Sequence, residues 1–303
     1  MYDVIIVGAG PAGITAAIYC ARARLDTLVV SKNVGGQAAL SADVENYTGY
    51  QFISGAELAR KFHSHLHEFS NVEHHEAPEA AVKLERTEKG FALETDAGAY
   101  EARTVIICSG ANPRRLGVPG EKELLNRGVS YCAVCDAPLF KNKDVAVIGG
   151  GNSALDAALQ LVKHASKVFV LTVNPELGGD AVVKEKLLAE SRVKVIANAF
   201  TTAVLGTRFV EGIKYSQAGG PEQTLAVQGV FVEIGWTPAT EFAGLVEKNE
   251  FGEIKVDSAC RTSVPGVFAA GDCTNVPEKQ IIVAAGMGAV AALSAIKYLR
   301  KLK

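Results

Sequence analysis

The chain lacks a strong charge bias and is poor in cysteine. Of its 303 residues, 31 are Lys or Arg and 33 are Asp or Glu, which gives a net charge of -2. No basic stripe stands out, so we expect no nucleic acid partner. Six cysteines are too few for a disulfide scaffold in a chain of this length. The length allows two domains or one large α/β domain, and the 48% hydrophobic content is that of an ordinary globular protein.

Long hydrophobic runs are also lacking. The longest uncharged run, residues 281–296, is short for a membrane span and contains Gly286 and Gly288. The first predicted strand begins at Tyr2, which leaves no room for a signal peptide. We therefore predict a soluble cytoplasmic protein without a membrane partner.

Two cysteines, Cys132 and Cys135, stand in the stretch Tyr131-Cys132-Ala133-Val134-Cys135-Asp136. They lie on consecutive turns if a helix starts here, and Ser130 is a plausible N-cap. A disulfide between them closes a very small loop and gains little from chain entropy, so it reinforces the fold poorly. A helix N-terminus favours the reactive thiolate. Asp136 directly follows Cys135, where a carboxylate can exchange a proton with a thiol. The motif predicts a redox-active pair.

Metal sites are not indicated by the pattern of ligands. No second C-x-x-C and no C-x-x-H exists, so a closed four-ligand zinc site at the cysteines is not expected. His63 and His67 are spaced for a shared metal on a predicted helix at residues 54–69, but no acidic or cysteine partner pattern completes a site. We interpret them as a solvated helix edge, and His74 and His75 as surface residues flanking a strand. We expect no metal.

A glycine-rich turn follows the first predicted strand. Residues 3–7 are almost continuously apolar, as in a parallel strand buried on both faces. The run Gly8-Ala9-Gly10-Pro11-Ala12-Gly13 comes next, then a predicted helix and a second strand. G-x-G-x-x-G between a strand and a helix predicts a dinucleotide whose pyrophosphate rests on the helix N-terminus. Ser31 and Lys32 stand where an acidic residue for the ribose is expected after the second strand, and lysine accepts no hydrogen bond.

The same pattern restarts after the cysteines. A strand at residues 144–148 leads into Gly149-Gly150-Gly151-Asn152-Ser153-Ala154, a second helix and a strand at residues 167–171. The first unit then needs a closing strand, which residues 266–272 supply. The pattern predicts an α/β fold of two Rossmann-like, three-layer ββα dinucleotide-binding domains, the second inserted into the first. We assign residues 1–116 and 239–303 to the first domain and 117–238 to the inserted one, with hinges near residues 113–119 and 235–240.

This arrangement, with a C-x-x-C in the inserted domain, resembles the low-molecular-weight thioredoxin reductase family over essentially the whole chain. In detail, residues 132–140, 149–153 and 267–280 are similar to the reductase portion of the alkyl hydroperoxide reductase flavoprotein. The fused thioredoxin-like module of that protein is absent, so a separate thioredoxin- or glutaredoxin-like protein is the expected partner. Family analogy implies a homodimer.

The resemblance implies FAD and, as electron donor, NADH or NADPH. It implies that Cys135 faces the flavin, that Cys132 attacks the partner and that Asp136 is the acid/base. For FAD it implies Gly8, Gly10, Pro11, Ala12, Gly13, Gly35, Gly36, Gln37, Asn46, Gly110, Gly271, Asp272, Lys279, Gln280 and Ile281. For the nicotinamide nucleotide it implies Gly149, Gly151, Asn152, Ser153 and Ala154.

The donor site departs from the family pattern. Relatives that use NADPH carry a His-Arg-Arg run after the fourth strand, whereas residues 171–180 contain no arginine to grip a 2′-phosphate. Glu176 is the nearest acidic residue for an NADH ribose, so NADH is favoured. Two alternatives stay open: a flavoprotein fed by another donor such as ferredoxin, and a flavin redox sensor. A thioredoxin-reductase-like ferredoxin–NADP reductase would lack the cysteine pair.

Overall fold

The computed structural model describes residues 1–40, 44, 46–75 and 78–302, without the side chains of Val134 and Cys135, as two compact units. The first, here the outer unit, comprises residues 1–112 and 237–303. The second, the inserted unit, comprises residues 113–236. Both boundaries lie a few residues before those assigned from the sequence.

Strands and helices alternate over most of the chain. The strands are β1 (Tyr2–Ala9), β2 (Thr27–Val34), β3 (Val72–His74), β4 (Ala81–Arg86), β5 (Phe91–Thr95), β6 (Ala99–Ile107), β7 (Ala111–Pro113), β8 (Val129–Ser130), β9 (Asp144–Ile148), β10 (Lys167–Leu171), β11 (Val193–Ile196), β12 (Ala199–Gly206), β13 (Val210–Gln217), β14 (Gln223–Leu225), β15 (Gly229–Val232), β16 (Trp236–Pro238) and β17 (Val267–Ala269). The helices are α1 (Pro11–Arg22), α2 (Gly55–His67), α3 (Ala133–Asp136), α4 (Asn152–Val162), α5 (Ala181–Leu188) and α6 (Ile281–Lys301). Short 3-10 helices cover Gly36–Leu40 and Ala137–Phe140.

The outer unit is built on a seven-stranded mixed sheet. Strands β3, β2, β1 and β6 follow one another in parallel, and β17 also pairs in parallel with β6. Strands β4 and β5 extend the sheet in the antiparallel sense from the start of β6. The apolar run of β1 is fully buried at Val4, Ile5 and Ile6. The predicted doubly covered first strand and the predicted closing strand are therefore both confirmed.

Helix α6 packs its small residues closely on α1. A Cβ atom at Gly288 would lie 2.1 Å from the carbonyl oxygen of Ala12, so the two backbones approach as only glycine allows. Ala291, Ala292 and Ala295 are also buried on this face. Helix α6 has 21 residues and is therefore longer than the uncharged run of residues 281–296. Among the described residues, it is the one helix that is long and apolar enough to cross a membrane, by length and composition alone.

The inserted unit contains a parallel sheet in the order β11-β10-β9-β15-β8. Strands β9 and β10 have the bounds that the sequence predicts. A three-stranded antiparallel sheet, β12-β13-β14, packs its apolar residues in a second core. The two segments that connect the units, β7 and β16, pair as a two-stranded sheet.

Two local predictions are wrong, and strand pairing is the reason for both. Strand β2 continues to Val34, which pairs with Ala9 beyond a register shift, so Ser31 and Lys32 lie inside the strand rather than after it. Ser130 lies in β8, where it pairs with Phe231, and α3 begins three residues later. Ser130 is therefore not the N-cap of the helix that contains Cys135.

Candidate functional site

The first glycine turn leaves open space at the start of α1. Gly8 and Gly13 are required by the chain itself, because a Cβ there would lie 2.2 Å from the Cys108 carbonyl oxygen and 1.7 Å from that of Gly8. Gly10 is the N-cap of α1, and the nearest atom to a Cβ there is Cα of Gly36 at 4.0 Å. The space in front of Gly10 thus fits a pyrophosphate that approaches the backbone N–H groups of α1.

Several residues predicted to bind FAD gather around this turn. The Gly35 N–H donates to the Ala9 carbonyl at 2.7 Å, and a Cβ at Gly271 would be 3.2 Å from Cβ of Ala12. Asn46 Nδ2 donates to Gln280 Oε1 at 3.1 Å. Of the remaining predicted residues, Pro11 and Ile281 open α1 and α6, Gln37 Nε2 donates to the Ala111 carbonyl at 3.4 Å, and the Gly110 carbonyl accepts from the Ala239 N–H.

Asp272 lies just beyond β17, where the sequence places the contact to a hydroxylated cofactor chain. Burial raises the pKa of its carboxyl, and the charge of Lys279 offsets part of that rise. No hydrogen bond reaches this carboxylate from the side chains and backbone that the structure describes. Lys279 Nζ instead donates to the Asp272 carbonyl at 3.3 Å and forms an ion pair with Glu253 at 2.8 Å. The Asp272 carboxylate is therefore available to accept hydroxyl hydrogen bonds.

The second glycine turn has the same construction in the inserted unit. A Cβ at Gly149 would lie 2.0 Å from the Glu233 carbonyl oxygen, whereas one at Gly151, the N-cap of α4, would meet no atom within 4 Å. Asn152 and Ser153 open α4, and Ala154 is fully buried in its first turn. The space in front of Gly151 fits a second pyrophosphate.

The segment after β10 folds onto this second turn. The Gly178 N–H donates to the Gly150 carbonyl at 2.7 Å, and the Asp180 N–H donates to Asn152 Oδ1 at 2.7 Å. Asp180 also caps α5 through the Val182 and Val183 N–H groups. This segment, in which the sequence lacks arginine, is thus held at the place where a nucleotide ribose would lie.

Three carboxylates meet near the start of α4. Burial and the nearby Asp156 raise the pKa of Glu233 to about 8. Burial and the nearby Asp180 raise the pKa of Asp156. Glu233 was not predicted from the sequence as a site residue, although it directly follows the apolar strand β15, whose carboxyl end lies beside Gly149. Residues at that end of a parallel strand face the ligand crevice.

Glu233→Gln is expected to stabilise the protein increasingly as the pH rises. The pKa of Glu233 increases on folding from 4.5 to about 8. Between these two pH values the folded state holds a proton that the unfolded state releases, so the stability of the wild type falls as the pH rises through this range. Each pKa unit corresponds to about 1.4 kcal/mol, so this rise sets an upper limit of about 5 kcal/mol. Because the Glu233 side chain is partly exposed to solvent, we expect the variant to gain roughly 2 kcal/mol over the wild type as the pH rises from about 5 to about 9. Chemical denaturation followed through Trp236, the only tryptophan, measures this gain.

The matched control is Glu185→Gln, which removes an exposed glutamate from α5 of the same unit. Glu233→Gln is expected to gain more stability with rising pH than this control does. An equal pH dependence in both variants, or none in Glu233→Gln, would show that Glu233 does not titrate in this way.

The cysteine loop lies between β8 and α3. Ser130 Oγ accepts from the Cys132 N–H at 3.0 Å, and the Asp136 N–H donates to the Cys132 carbonyl at 3.2 Å. Cys132 is disulfide-bonded and directly precedes α3, whose last residue is Asp136. The side chain of Cys135 lies outside the described part of the structure, so its pairing with Cys132 stays a prediction.

A buried glutamate ties this loop to the first connecting segment. Glu121 accepts from the N–H groups of Leu116 and Gly117, each at 2.7 Å, and from Tyr131 Oη at 2.6 Å. Burial, and next the hydrogen bond to Glu121, raise the pKa of Tyr131. This carboxylate, which was not predicted from the sequence, fixes the residue before Cys132 to the segment that enters the inserted unit.

The other four cysteines are free and buried: Cys20, Cys108, Cys260 and Cys273. Burial raises the pKa of each thiol, to about 12 at Cys20 and about 11 at Cys260. Buried thiols of this kind are poor nucleophiles. The bonded Cys132 is chemically distinct from them.

Two helix N-termini shaped for dinucleotides and a bonded cysteine at the start of a short helix define a nucleotide-dependent disulfide oxidoreductase. The chain belongs to the pyridine nucleotide-disulphide oxidoreductase family, whose sequence profile matches residues 2–288. This family uses FAD and NAD(P)H, and the two glycine turns of this chain fit these two nucleotides.

Individual relatives agree with this assignment. The chain is 43% identical to an alkyl hydroperoxide reductase component of Escherichia coli and 44% identical to an NADH dehydrogenase of Bacillus subtilis. These matches cover 100% and 98% of this chain but only 59% and 58% of the relatives. The structure of Lactococcus lactis thioredoxin reductase matches with a TM-score of 0.94 at 35% identity, over 99% of this chain and all of that one. The predicted fold and family resemblance are confirmed.

Proposed function

We propose that the protein is a cytoplasmic, homodimeric flavoprotein that reduces a disulfide on a small thioredoxin- or glutaredoxin-like protein. The observation that carries the proposal is the bonded Cys132, held by Ser130 at the start of α3 in a chain with two dinucleotide turns. The full-length similarity to a thioredoxin reductase structure supports it. The similarity to the longer alkyl hydroperoxide reductase relatives supports a thioredoxin-like redox partner.

The cysteines carry the reaction with the partner. The Cys132 thiolate attacks the partner disulfide to form a mixed disulfide, and Cys135 then displaces the partner thiol. The partner gains two electrons and two protons, while Cys132 and Cys135 become a disulfide. Asp136 moves the proton between the thiols and water. When bound, FAD supplies the two-electron relay that restores the dithiol.

Binding of FAD and movement of the inserted unit complete the proposal. Gly10 admits the pyrophosphate to α1, and Asp272 accepts hydrogen bonds from the hydroxylated chain of FAD. Because flavin and partner cannot reach one cysteine pair together, the inserted unit rotates about the segments near residues 113–119 and 235–240. Steady-state turnover of a thioredoxin disulfide with NADH tests the proposal, and absence of turnover with any thioredoxin- or glutaredoxin-like protein contradicts it.

NADH is expected to reduce the flavin at least about tenfold more efficiently than NADPH. A 2′-phosphate beside residues 171–180 finds no guanidinium and faces Glu176 and Asp180. Each missing charge-assisted hydrogen bond costs about 1.5–3 kcal/mol. Rapid mixing with each nucleotide, followed by bleaching of the flavin, measures the ratio.

Equal or faster bleaching with NADPH would mean that another basic group binds the 2′-phosphate of NADPH. Lys184 and Lys186 on α5 are the groups to replace in that case. Lys184 Nζ already donates to the Leu177 carbonyl at 3.2 Å, next to Glu176. A Lys184→Met variant that loses the NADPH reaction but keeps the NADH reaction would identify it.

One feature favours an alternative electron donor, a low-potential carrier such as ferredoxin. The segment after β10 is hydrogen-bonded to the glycine turn at the ribose position, through Gly178 and Asp180. A ferredoxin-flavin thioredoxin reductase of Clostridium acetobutylicum is among the structural neighbours, with 31% identity and a TM-score of 0.53. Anaerobic titration with NADH, NADPH and a reduced ferredoxin decides between the donors.

A further inference from the structure

Three imidazoles meet at the β3 edge of the sheet in the outer unit. They belong to His63 and His67 on α2 and to His74 at the end of β3. Their ligand nitrogens all lie within 4.8 Å of one another. From the sequence, the helical pair was expected to be a solvated helix edge without further ligands, and His74 a surface residue. The structure instead places a third imidazole, partly buried, beside the pair.

Helix geometry and strand pairing bring the three side chains together. His63 and His67 are four residues apart, so they share one face of α2. The helix itself is anchored by the buried side chains of Leu58 and Leu66. After the helix the chain turns back within a few residues, and β3 pairs in parallel with β2, with His74 opposite Val29. The cluster is therefore held by regular elements on both sides.

Two further contacts hold the ends of this arrangement. Asn71 Nδ2 donates to the carbonyls of Ala21 and Leu25, which fixes the turn between α2 and β3. Nε2 of His74 lies 3.4 Å from Ser31 Oγ. This contact with a hydroxyl helps to orient the imidazole of His74.

The distances suit a transition metal ion. Nε2 of His63 and Nε2 of His67 are 2.9 Å apart. A Zn²⁺ ion bound at about 2.0–2.1 Å by tetrahedral imidazoles places the nitrogens about 3.3 Å apart. The three ligand nitrogens, all within 4.8 Å of one another, lie close to that spacing. His67 is exposed, which gives an ion access from solvent.

We propose that His63, His67 and His74 form a binding site for a divalent transition metal of the Zn²⁺ class. Neutral imidazole is a preferred ligand of such ions, and three protein ligands leave the fourth position to water. His75 is not a ligand, because its ring bonds Glu79 at 2.6 Å and Glu73 at 3.0 Å. The bound ion joins α2 to β3 and so stabilises this edge of the sheet.

Equilibrium dialysis of the untagged, FAD-loaded protein against Zn²⁺, followed by metal analysis, tests the proposal. The protein is kept oxidised, because Cys132 is then in a disulfide and its thiolate cannot bind zinc. We expect one Zn²⁺ per chain. His63→Gln, His67→Gln and His74→Gln should each weaken binding by at least about tenfold.

The matched control is His65→Gln, on the same helix, whose ring lies tilted against Phe69 with 5.8 Å between the ring centroids. Its affinity is expected to stay within about twofold of the wild type. Zn²⁺ should also raise the melting temperature of the wild type and of His65→Gln, but not of His67→Gln. No bound zinc, or equal binding by the wild type and the exposed His67→Gln variant, overturns the proposal.

Discussion

Replacement of Cys132 or Cys135 by serine is expected to lower disulfide reductase activity by at least about 1,000-fold. Serine keeps the shape of the loop but cannot form the mixed disulfide or close the internal one. The flavin content should stay unchanged, because the residues predicted to bind FAD lie elsewhere in the chain. Turnover of a thioredoxin disulfide and the visible spectrum of each variant measure these two quantities.

The matched control is Cys20→Ala, which removes a free, buried thiol from α1. Its activity per bound flavin should equal that of the wild type. If either serine variant keeps its activity, electrons reach the partner without the cysteine pair and the proposed route is wrong. The same result would favour a simple flavin reductase.

The serine variants also separate the roles of the two cysteines. We expect Cys132→Ser to show a long-wavelength thiolate–flavin band, because the resemblance places Cys135 beside the flavin. The absorption spectrum of each variant at neutral pH checks the assignment. A band in Cys135→Ser instead would reverse the two roles.

Replacement of Gly10 or Gly151 by valine is expected to abolish the binding of one nucleotide in each case. Gly10 has φ -79° and ψ -173°, and Gly151 has φ -97° and ψ -171°, a region that valine adopts without strain. The added side chain fills the space of the pyrophosphate, at a cost of at least about 3 kcal/mol, or about 100-fold in affinity. Gly10→Val should be colourless, whereas Gly151→Val should keep its flavin but lose reduction by NADH.

Gly244→Val is the control for both variants, since a Cβ there also meets no atom within 4 Å and the position is remote in sequence from both turns. It should retain flavin and reduction by NADH. Flavin retained at wild-type level in Gly10→Val would contradict the assigned cofactor site. Unchanged reduction by NADH in Gly151→Val would show that the nucleotide binds elsewhere.

Much of the fold was readable from the sequence because its parallel strands are continuous apolar runs ended by glycine. Strands β9 and β10 were predicted to the residue for this reason. Strand β17 was predicted from its apolar run before Gly271 and Asp272, and its pairing with β6 confirms the insertion. In each case local pattern and tertiary environment favour the same structure.

The misses share a different cause, which is pairing between distant segments. Ser130 is extended because β8 pairs with β15, a strand about a hundred residues later in the chain. His74 reaches α2 because β3 pairs with β2. Glu233 and Glu121 gain their partners only once the inserted unit has folded. A local pattern contains no information on such partners, so these contacts could not be predicted from the sequence alone.

The discontinuity of the outer unit has a consequence for the order of events on the ribosome. All segments of the inserted unit lie within residues 113–236, so it can fold while residues 237–303 are still being made. Strand β6 can pair with β17, and the apolar face of α1 can pack against α6, only after these later segments have been made. Helix α6 is the last helix of the described chain. The half that is begun first is therefore completed last, and until then it presents uncovered apolar surface of the kind that chaperones bind.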